Sequence, residues 1–273
     1  MMNNATIAFI GAGRMASSLI GGLIANGWPA EKIWVANPHT EQLEVLEKKL
    51  NIHTTLDNPT AVSKADVVIV AVKPSVVPEI MHELAEVIRQ KGCLVISVAA
   101  GIPLAKYAEW LGKTVPVVRC MPNTPALIQA GASGLFANDQ VEEVHKSLAE
   151  SIIRAVGVVT WVPKEIHMEI VTALSGSGPA YFFLMMEALE NTAREQGLPA
   201  DVAHLLTVQT ALGAARLALE SSHDLVTLRQ QVTSPGGTTE QGVAALEKGG
   251  IRELMARAVQ AARIRAEELA ADS

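Results

Sequence analysis

Two hydrophobic periods divide the chain. Short apolar, β-branched runs ("TIAFIG", "KIWVAN", "DVVIVAV", "LVISVAA" and "VPVVRCM") are separated by stretches at 15–26, 40–50, 77–90 and 103–111 whose apolar positions recur at helical spacing. Continuous apolar strands alternating with helices predict a mostly parallel sheet covered on both faces. Two further strands, "ASGLFAN" and "VVTWV", flank a helical stretch at 140–155 and extend that sheet. After Pro163 the strand signal stops, and the pattern is helical over 165–173, 179–196, 199–220, 224–231, 238–248 and 251–270. The expected architecture is an α/β domain over residues 1–163 followed by an all-α domain over 164–273.

The last helix places Leu254, Ala258, Ala261 and Ile264 along one side and is amphipathic. By contrast, "VAHLLTVQTALGAARLALE" is apolar over most of its circumference and needs cover on most sides. A helical region of this kind closes most readily against a second copy, so a homodimer built through the helices is expected.

Charge narrows the partners. Lys plus Arg number 22 against 28 Asp plus Glu in 273 residues, a net charge of −6, and no run of like charge interrupts the chain. That argues against nucleic acid as a partner. The longest apolar stretches are strand-length or carry Glu, Gln and Arg at helical spacing, so none reads as a membrane span. The start, "MMNNATIAFIGAG", has no basic region before its first apolar run, and a cytoplasmic location is expected. Cys93 and Cys120 lie in apolar strand-like runs and are read as buried free thiols. The seven His are scattered without ligand spacing, and no metal site is expected.

The first strand runs into "GAGRMASSLIGGL", which supplies Gly11, Gly13 and Ala16 as G-x-G-x-x-A. Gly11 permits a tight turn, Gly13 lets backbone approach a pyrophosphate, and Ala16 lets the helix pack close to the strand. The phosphates would face the N-terminal N–H groups of that helix. A plain glycine turn is the alternative for an isolated match, and the surrounding βα units count against it. The second strand ends at Asn37 where an NAD-binding chain would carry a carboxylate for the ribose hydroxyls. A neutral end leaves room for a 2′-phosphate, with Asn37, His39, Thr40 and Arg14 as donors, so NADP (as NADPH) is favoured and NADH remains possible. The fourth strand closes on "AVKPS", where Lys73 is either a solvated loop lysine or a cation beside the ligand. "VAAG" and "RCMPNTPA" end two further strands at the same edge, the prolines Pro122 and Pro125 fixing the loop shape. The candidate cofactor-binding residues are Gly11, Ala12, Gly13, Arg14, Met15, Asn37, Asn58, Ala71, Val72, Lys73, Pro74, Ala99 and Ala100.

A dinucleotide domain followed by helices suits β-hydroxyacid dehydrogenases, but their lysine position after "SGSG" is taken here by Phe182, so a hydroxyl oxidation lacks its general base. The ordered set "GAGRMASSLIGGL", "AVKP", "MPNTPA", "SGSGPAY" and "VTSPGGTT" instead closely resembles pyrroline-5-carboxylate reductases over essentially the whole chain. The last two motifs are the specific ones. Arg14 departs from the Asn frequent in that family and, if anything, supports a phosphorylated cofactor.

The resemblance implies a Rossmann-type dinucleotide-binding domain, an all-α dimerisation domain, and NAD(P)H-dependent reduction of a cyclic imine carboxylate to L-proline. It implies catalytic roles for Thr239 first and Thr238 second, a hydroxyl bonding the ring nitrogen. It places Ser234, Pro235, Gly236 and Gly237 at the substrate carboxylate, and Ser175, Gly176, Ser177 and Gly178 in the pocket wall. Glu220 is a further substrate-side candidate, and Tyr181 is read as packing. Interlocked dimers that assemble further into rings, with the substrate turn of one chain completing the site of its partner, are also implied. A dinucleotide-sensing module would explain the glycine loop but not "SPGGTT". A reductase of another small imine or 2-oxo acid is the remaining enzymatic alternative.

Overall fold

The computed structural model describes residues 4–271, which divide into two compact units, one reaching Ser177 and rejoined from Ala262, the other spanning Gly178–Ala261. The first unit is built on an eight-stranded sheet in the order β3-β2-β1-β4-β5-β6-β7-β8. The strands are β1 (Ile7–Ile10), β2 (Ile33–Ala36), β3 (His53–Thr55), β4 (Val67–Val70), β5 (Leu94–Ser97), β6 (Val117–Met121), β7 (Gly131–Ala137) and β8 (Gly157–Trp161). All neighbours pair in parallel except β6 with β7, where Met121 faces Gly134 and Val118 faces Ala137.

The period of two along the central strands feeds two cores. Ile7, Phe9, Val67, Ile69, Leu94 and Ile96 point to one face, where they meet Leu19 and Leu23 of α1 (Arg14–Ala25), Leu43 of α2 (Thr40–Leu50) and Ile152 of α6 (Glu143–Arg154). Ala8, Ile10, Val68, Val70 and Val95 point to the other. There they meet Val62 of α3 (Asn58–Ser63), Met81 and Ile88 of α4 (Val77–Lys91), and Tyr107 of α5 (Leu104–Leu111). A strand buried on both faces has no polar alternation to display, which is why these runs read as unbroken apolar sequence. The expected mostly parallel, doubly covered sheet is present.

Two elements escaped the sequence pattern. β3 reads "HTT", a short edge strand with no apolar run, held by pairing with β2. α3 is six residues long and is set by its cap: the Asp57 carboxylate accepts from the Thr60 N–H at 2.8 Å, and hydrogen bonds from Thr60 hold that carboxyl below the usual carboxylate range. The helix expected over 165–173 is α7 (His167–Val171), followed by a π turn over Thr172–Gly176.

Both cysteines are free and buried, as read from the sequence. Burial pushes the Cys93 thiol up to about 11 and the Cys120 thiol up to about 12.

The second unit is helical: α8 (Gly178–Glu195), α9 (Ala200–Glu220), α10 (Leu225–Gln231), α11 (Thr238–Lys248) and the first part of α12 (Ile251–Ala271). In the single chain it leaves Phe182, Phe183, Leu184, Leu205, Leu212 and Leu219 exposed. Large apolar side chains exposed in this number mark a region that associates. Among the described residues α9 is the one helix long and apolar enough to cross a membrane, with mean hydropathy 1.3.

Packing is close where α1 meets the chain entering β8. A Cβ on Gly22 would stand 2.5 Å from the Ala155 carbonyl oxygen and 2.8 Å from Val156 Cγ1. Gly22→Ala should therefore destabilise the protein by about 1–3 kcal/mol, the usual cost of overpacking. Calorimetry should show a fall of several degrees in Tm.

Candidate active site

The order of the sheet reverses between β1 and β4, whose chains leave for opposite sides, and in open α/β sheets ligands bind at the carboxyl edge beside such a reversal. At that edge Gly11 has φ +103°, and its N–H donates to the Ala36 carbonyl at 2.8 Å. A Cβ there would lie 2.6 Å from the Ala71 oxygen, so glycine is required both by conformation and by the closeness of β4. Gly13 caps α1 in extended conformation without a side-chain hydrogen bond, and the first turn holds no acidic residue. A Cβ on Gly13 would meet nothing within 4 Å. The start of α1 thus has room beside Gly13 and no acid of its own, and Ala16 is fully buried against the core behind it. This cradle fits a dinucleotide pyrophosphate. Ala12 is buried, Arg14 is exposed and Met15 is half-buried beside it.

The other strand ends differ in what they offer. Asn37 is buried, and its side-chain nitrogen donates to the His39 carbonyl at 3.3 Å and to Gln42 Oε1 at 3.1 Å. Its amide protons therefore hold the turn into α2, while Arg14, His39 and Thr40 stay exposed. Asn58 donates to Glu83 Oε2 at 3.0 Å. Ala71 is tied to β1 through its N–H to the Ile10 carbonyl at 2.9 Å; Val72 is half-buried, Lys73 and Pro74 exposed. Ala99 donates its N–H to Ser97 Oγ at 3.2 Å, and Ala100 is half-buried beside it.

Sequence reasoning missed a polar network under this edge. Ser97 Oγ also accepts the Tyr107 hydroxyl, whose pKa burial pushes up to about 12, so the phenol stays protonated and donates. Nearby, buried Arg119 binds Glu165 at 2.6 Å and Glu169 at 3.3 Å, and Glu165 Oε1 also accepts the Leu104 N–H at 2.7 Å. Arg119 stood in view in "VPVVRCM", but a strand pattern gives no sign of two carboxylates arriving from residues 165 and 169.

Ser175 and Gly176 lie in the π turn, and the Ser177 N–H donates to the Thr172 carbonyl at 2.8 Å. Ser175 Oγ donates to the Val171 carbonyl at 3.0 Å. π turns of this kind are frequent at functional sites. Gly178 is buried at the start of α8.

In the second unit, the turn Ser234–Gly237 closes through the Gly237 N–H to the Ser234 carbonyl at 3.0 Å, and Gly236 has φ +72°. The Gly236 N–H donates to Glu240 Oε2 at 2.8 Å. Gly237 caps α11 without a side-chain bond, and Thr238 and Thr239 are its first two residues, both exposed, as are Ser234 and Pro235. Glu220 ends α9 in an exposed ion pair with Arg216 at 2.6 Å. The Tyr181 hydroxyl is buried and has no hydrogen-bond partner among the described residues. Among those residues, no group of three or more His, Cys, Asp or Glu is placed to hold a metal.

Comparison with known proteins adds to this geometry. Residues 165–269 match a family model described as pyrroline-5-carboxylate reductase dimerisation, and residues 6–101 match one described as NADP oxidoreductase, coenzyme F420-dependent. Fold, cradle and family models define a dinucleotide-dependent oxidoreductase with a helical dimerisation region. A pyrroline-5-carboxylate reductase from Pseudomonas aeruginosa is 46% identical over 269 residues, 98% of each chain. The chain belongs to the pyrroline-5-carboxylate reductase family. A solved structure of such a reductase from Coxiella burnetii is similar at TM-score 0.95 and 50% identity, over 97% of this chain and 98% of that one. The reductase of Plasmodium falciparum, solved with NADP bound, is similar at TM-score 0.86 and 28% identity, covering 99% and 100%. The dimerisation match spans the helices whose apolar faces are exposed in the single chain, and self-association accounts for their composition.

Because Gly11 is required twice, Gly11→Ala should weaken dinucleotide binding at least tenfold, about 1.4 kcal/mol. Titration of the cofactor's fluorescence against the variant checks this. Unchanged affinity would remove the glycine turn from the cofactor site.

Proposed function

We propose that this chain reduces L-1-pyrroline-5-carboxylate to L-proline with NADPH, the last step of proline biosynthesis, and can also use NADH. The observation that carries the reading is the turn Ser234–Gly237 opening α11 with two exposed hydroxyls, in a chain whose full length matches this family. Residues 1–163 serve the cofactor, and residues 164–273 serve substrate binding and dimerisation.

When bound, the reduced dinucleotide would supply a hydride to the C=N carbon, the π electrons becoming the lone pair of the amine nitrogen, which keeps the proton it brought as the iminium or receives one from a neutral donor. A protonated imine needs no strong base, so the protein's task is orientation. The turn Ser234–Gly237, whose Gly236 and Gly237 N–H groups are held by Glu240 and by the Ser234 carbonyl, sets the start of α11, and the substrate carboxylate binds there at the first N–H groups of the helix. The helix dipole favours the anion there. Thr239, and secondarily Thr238, hydrogen-bond the ring nitrogen. Ser175, Gly176, Ser177 and Gly178 shape the wall of the pocket, and Glu220 contributes on the substrate side. On the cofactor side, the α1 cradle of Gly11, Ala12, Gly13 and Met15 takes the pyrophosphate. Asn37, Asn58, Ala71, Val72, Lys73, Pro74, Ala99 and Ala100 line the remaining strand ends, and Arg14 faces the 2′-phosphate. The reading extends to assembly of dimers into a ring and to a cytoplasmic location, which buried, unpaired thiols suit.

NADPH oxidation with racemic pyrroline-5-carboxylate, repeated with NADH and with proline identified as product, tests the assignment. Absence of turnover from folded, oligomeric protein would overturn it. Thr239→Ala should lower kcat by about 10²-fold, as for loss of one preorganised donor, while the Kd for NADPH stays near wild type. Arg14→Ala should raise the Kd for NADPH about tenfold or more and leave NADH binding unchanged, since only NADPH offers the charge-assisted contact. Equal effects on both cofactors would place Arg14 elsewhere.

A further inference from the structure

The sequence strands one carbonyl group in the Ser175–Gly178 segment. In a regular helix each carbonyl accepts the N–H four residues on. Four residues beyond Ser175 stands Pro179, which has no N–H to give. The Ser175 carbonyl finds its donor in another part of the chain: Asn123 Nδ2 reaches it at 3.0 Å.

Asn123 is held on its other side as well. Its Oδ1 accepts from the Ala132 N–H at 2.9 Å, at the start of β7, and the residue is 9% exposed. Its backbone carbonyl accepts from the Ala126 N–H at 3.1 Å, which fixes the loop that carries it. Two residues earlier, the methyl group of Met121 fills the room that a Cβ on Gly176 would need, 2.6 Å away. "MPN" and "SGSG", more than fifty residues apart in the chain, thus form one packed unit.

We propose that Asn123 is a positioning residue for the substrate-binding segment. By donating to the carbonyl that Pro179 leaves unpaired, it fixes the peptide plane between Ser175 and Gly176, and with it the wall against which the substrate lies. A carboxamide is needed because the position requires one donor and one acceptor at once. Aspartate of the same shape keeps the bond from Ala132 but turns an oxygen against the Ser175 oxygen. The word "substrate" rests on the function proposed above; the anchoring itself does not.

The test is Asn123→Asp in the full-length protein, with three readouts. KM for pyrroline-5-carboxylate should rise about tenfold, or 1.4 kcal/mol, with the Kd for NADPH within about twofold of wild type. Hydrogen exchange at the Gly176 and Ser177 amides should quicken while the Ala132 amide stays protected. Asn123→Ala, which introduces no buried charge, serves if the Asp variant fails to bind cofactor, and should quicken exchange at Ala132 as well. Adding Pro179→Ala in the same background restores an N–H four residues beyond Ser175 and should bring KM back towards wild type. An unchanged KM with unchanged exchange, or KM and cofactor Kd rising together with general loss of protection, would overturn the proposal. If the wild-type protein reduces no pyrroline-5-carboxylate, the functional reading fails, and exchange at Gly176 and Ser177 still decides whether Asn123 anchors the turn.

Discussion

The approach of the β1–α1 turn to the end of β4 is the constraint on which the cofactor edge depends. Gly11 lies so near the Ala71 carbonyl that no side chain fits between them, and its N–H is spent on the Ala36 carbonyl of β2. Three strand ends are thereby held in fixed relation by backbone alone. Only then can α1 start at the edge with no acidic residue in its first turn and with Ala16 against the core. Side chains can vary around such an edge, because the backbone sets its shape.

The second theme is where polar groups go when they are buried. Ser97, Tyr107, Arg119, Glu169 and Asn123 are buried and paired with one another or with backbone, and half-buried Glu165 joins them through Arg119. Arg119 joins β6 to Glu165, just before α7, and to Glu169 within it. Removing Arg119 costs far more than breaking an exposed pair such as Arg216 with Glu220, because it takes the cation from two carboxylates, of which Glu169 is buried. Rigid support below and an adaptable surface above suit a site whose chemistry asks for orientation rather than for a strong acid or base.

Much of this was legible in the chain. The central strands announce themselves because both faces are buried, and G-x-G-x-x-A marks the turn that only glycine can make there. β3 and α3 left no signal, since one is held by pairing and the other by a single Asp57 cap. The role of Asn37 reads differently once its neighbours are known, because the side-chain nitrogen is committed to His39 and Gln42. Asn123 was hidden for a more general reason. A missing N–H at Pro179 is visible in sequence, but the donor that replaces it comes from the loop after β6, and no local pattern records that meeting.

The reversed pairing of β7 also separates the loops by their usefulness. Because β7 runs back along β6, the turn after it returns to the start of β6, where the Asn138 N–H meets the Val117 carbonyl at 3.0 Å. The exposed residues Asp139 and Gln140 therefore stand at the end of β6 remote from Met121 and Asn123. A fluorophore or an affinity handle attached there would ride on a rigid part of the sheet without entering the nucleotide edge, which makes that turn the natural place to watch or to immobilise the protein.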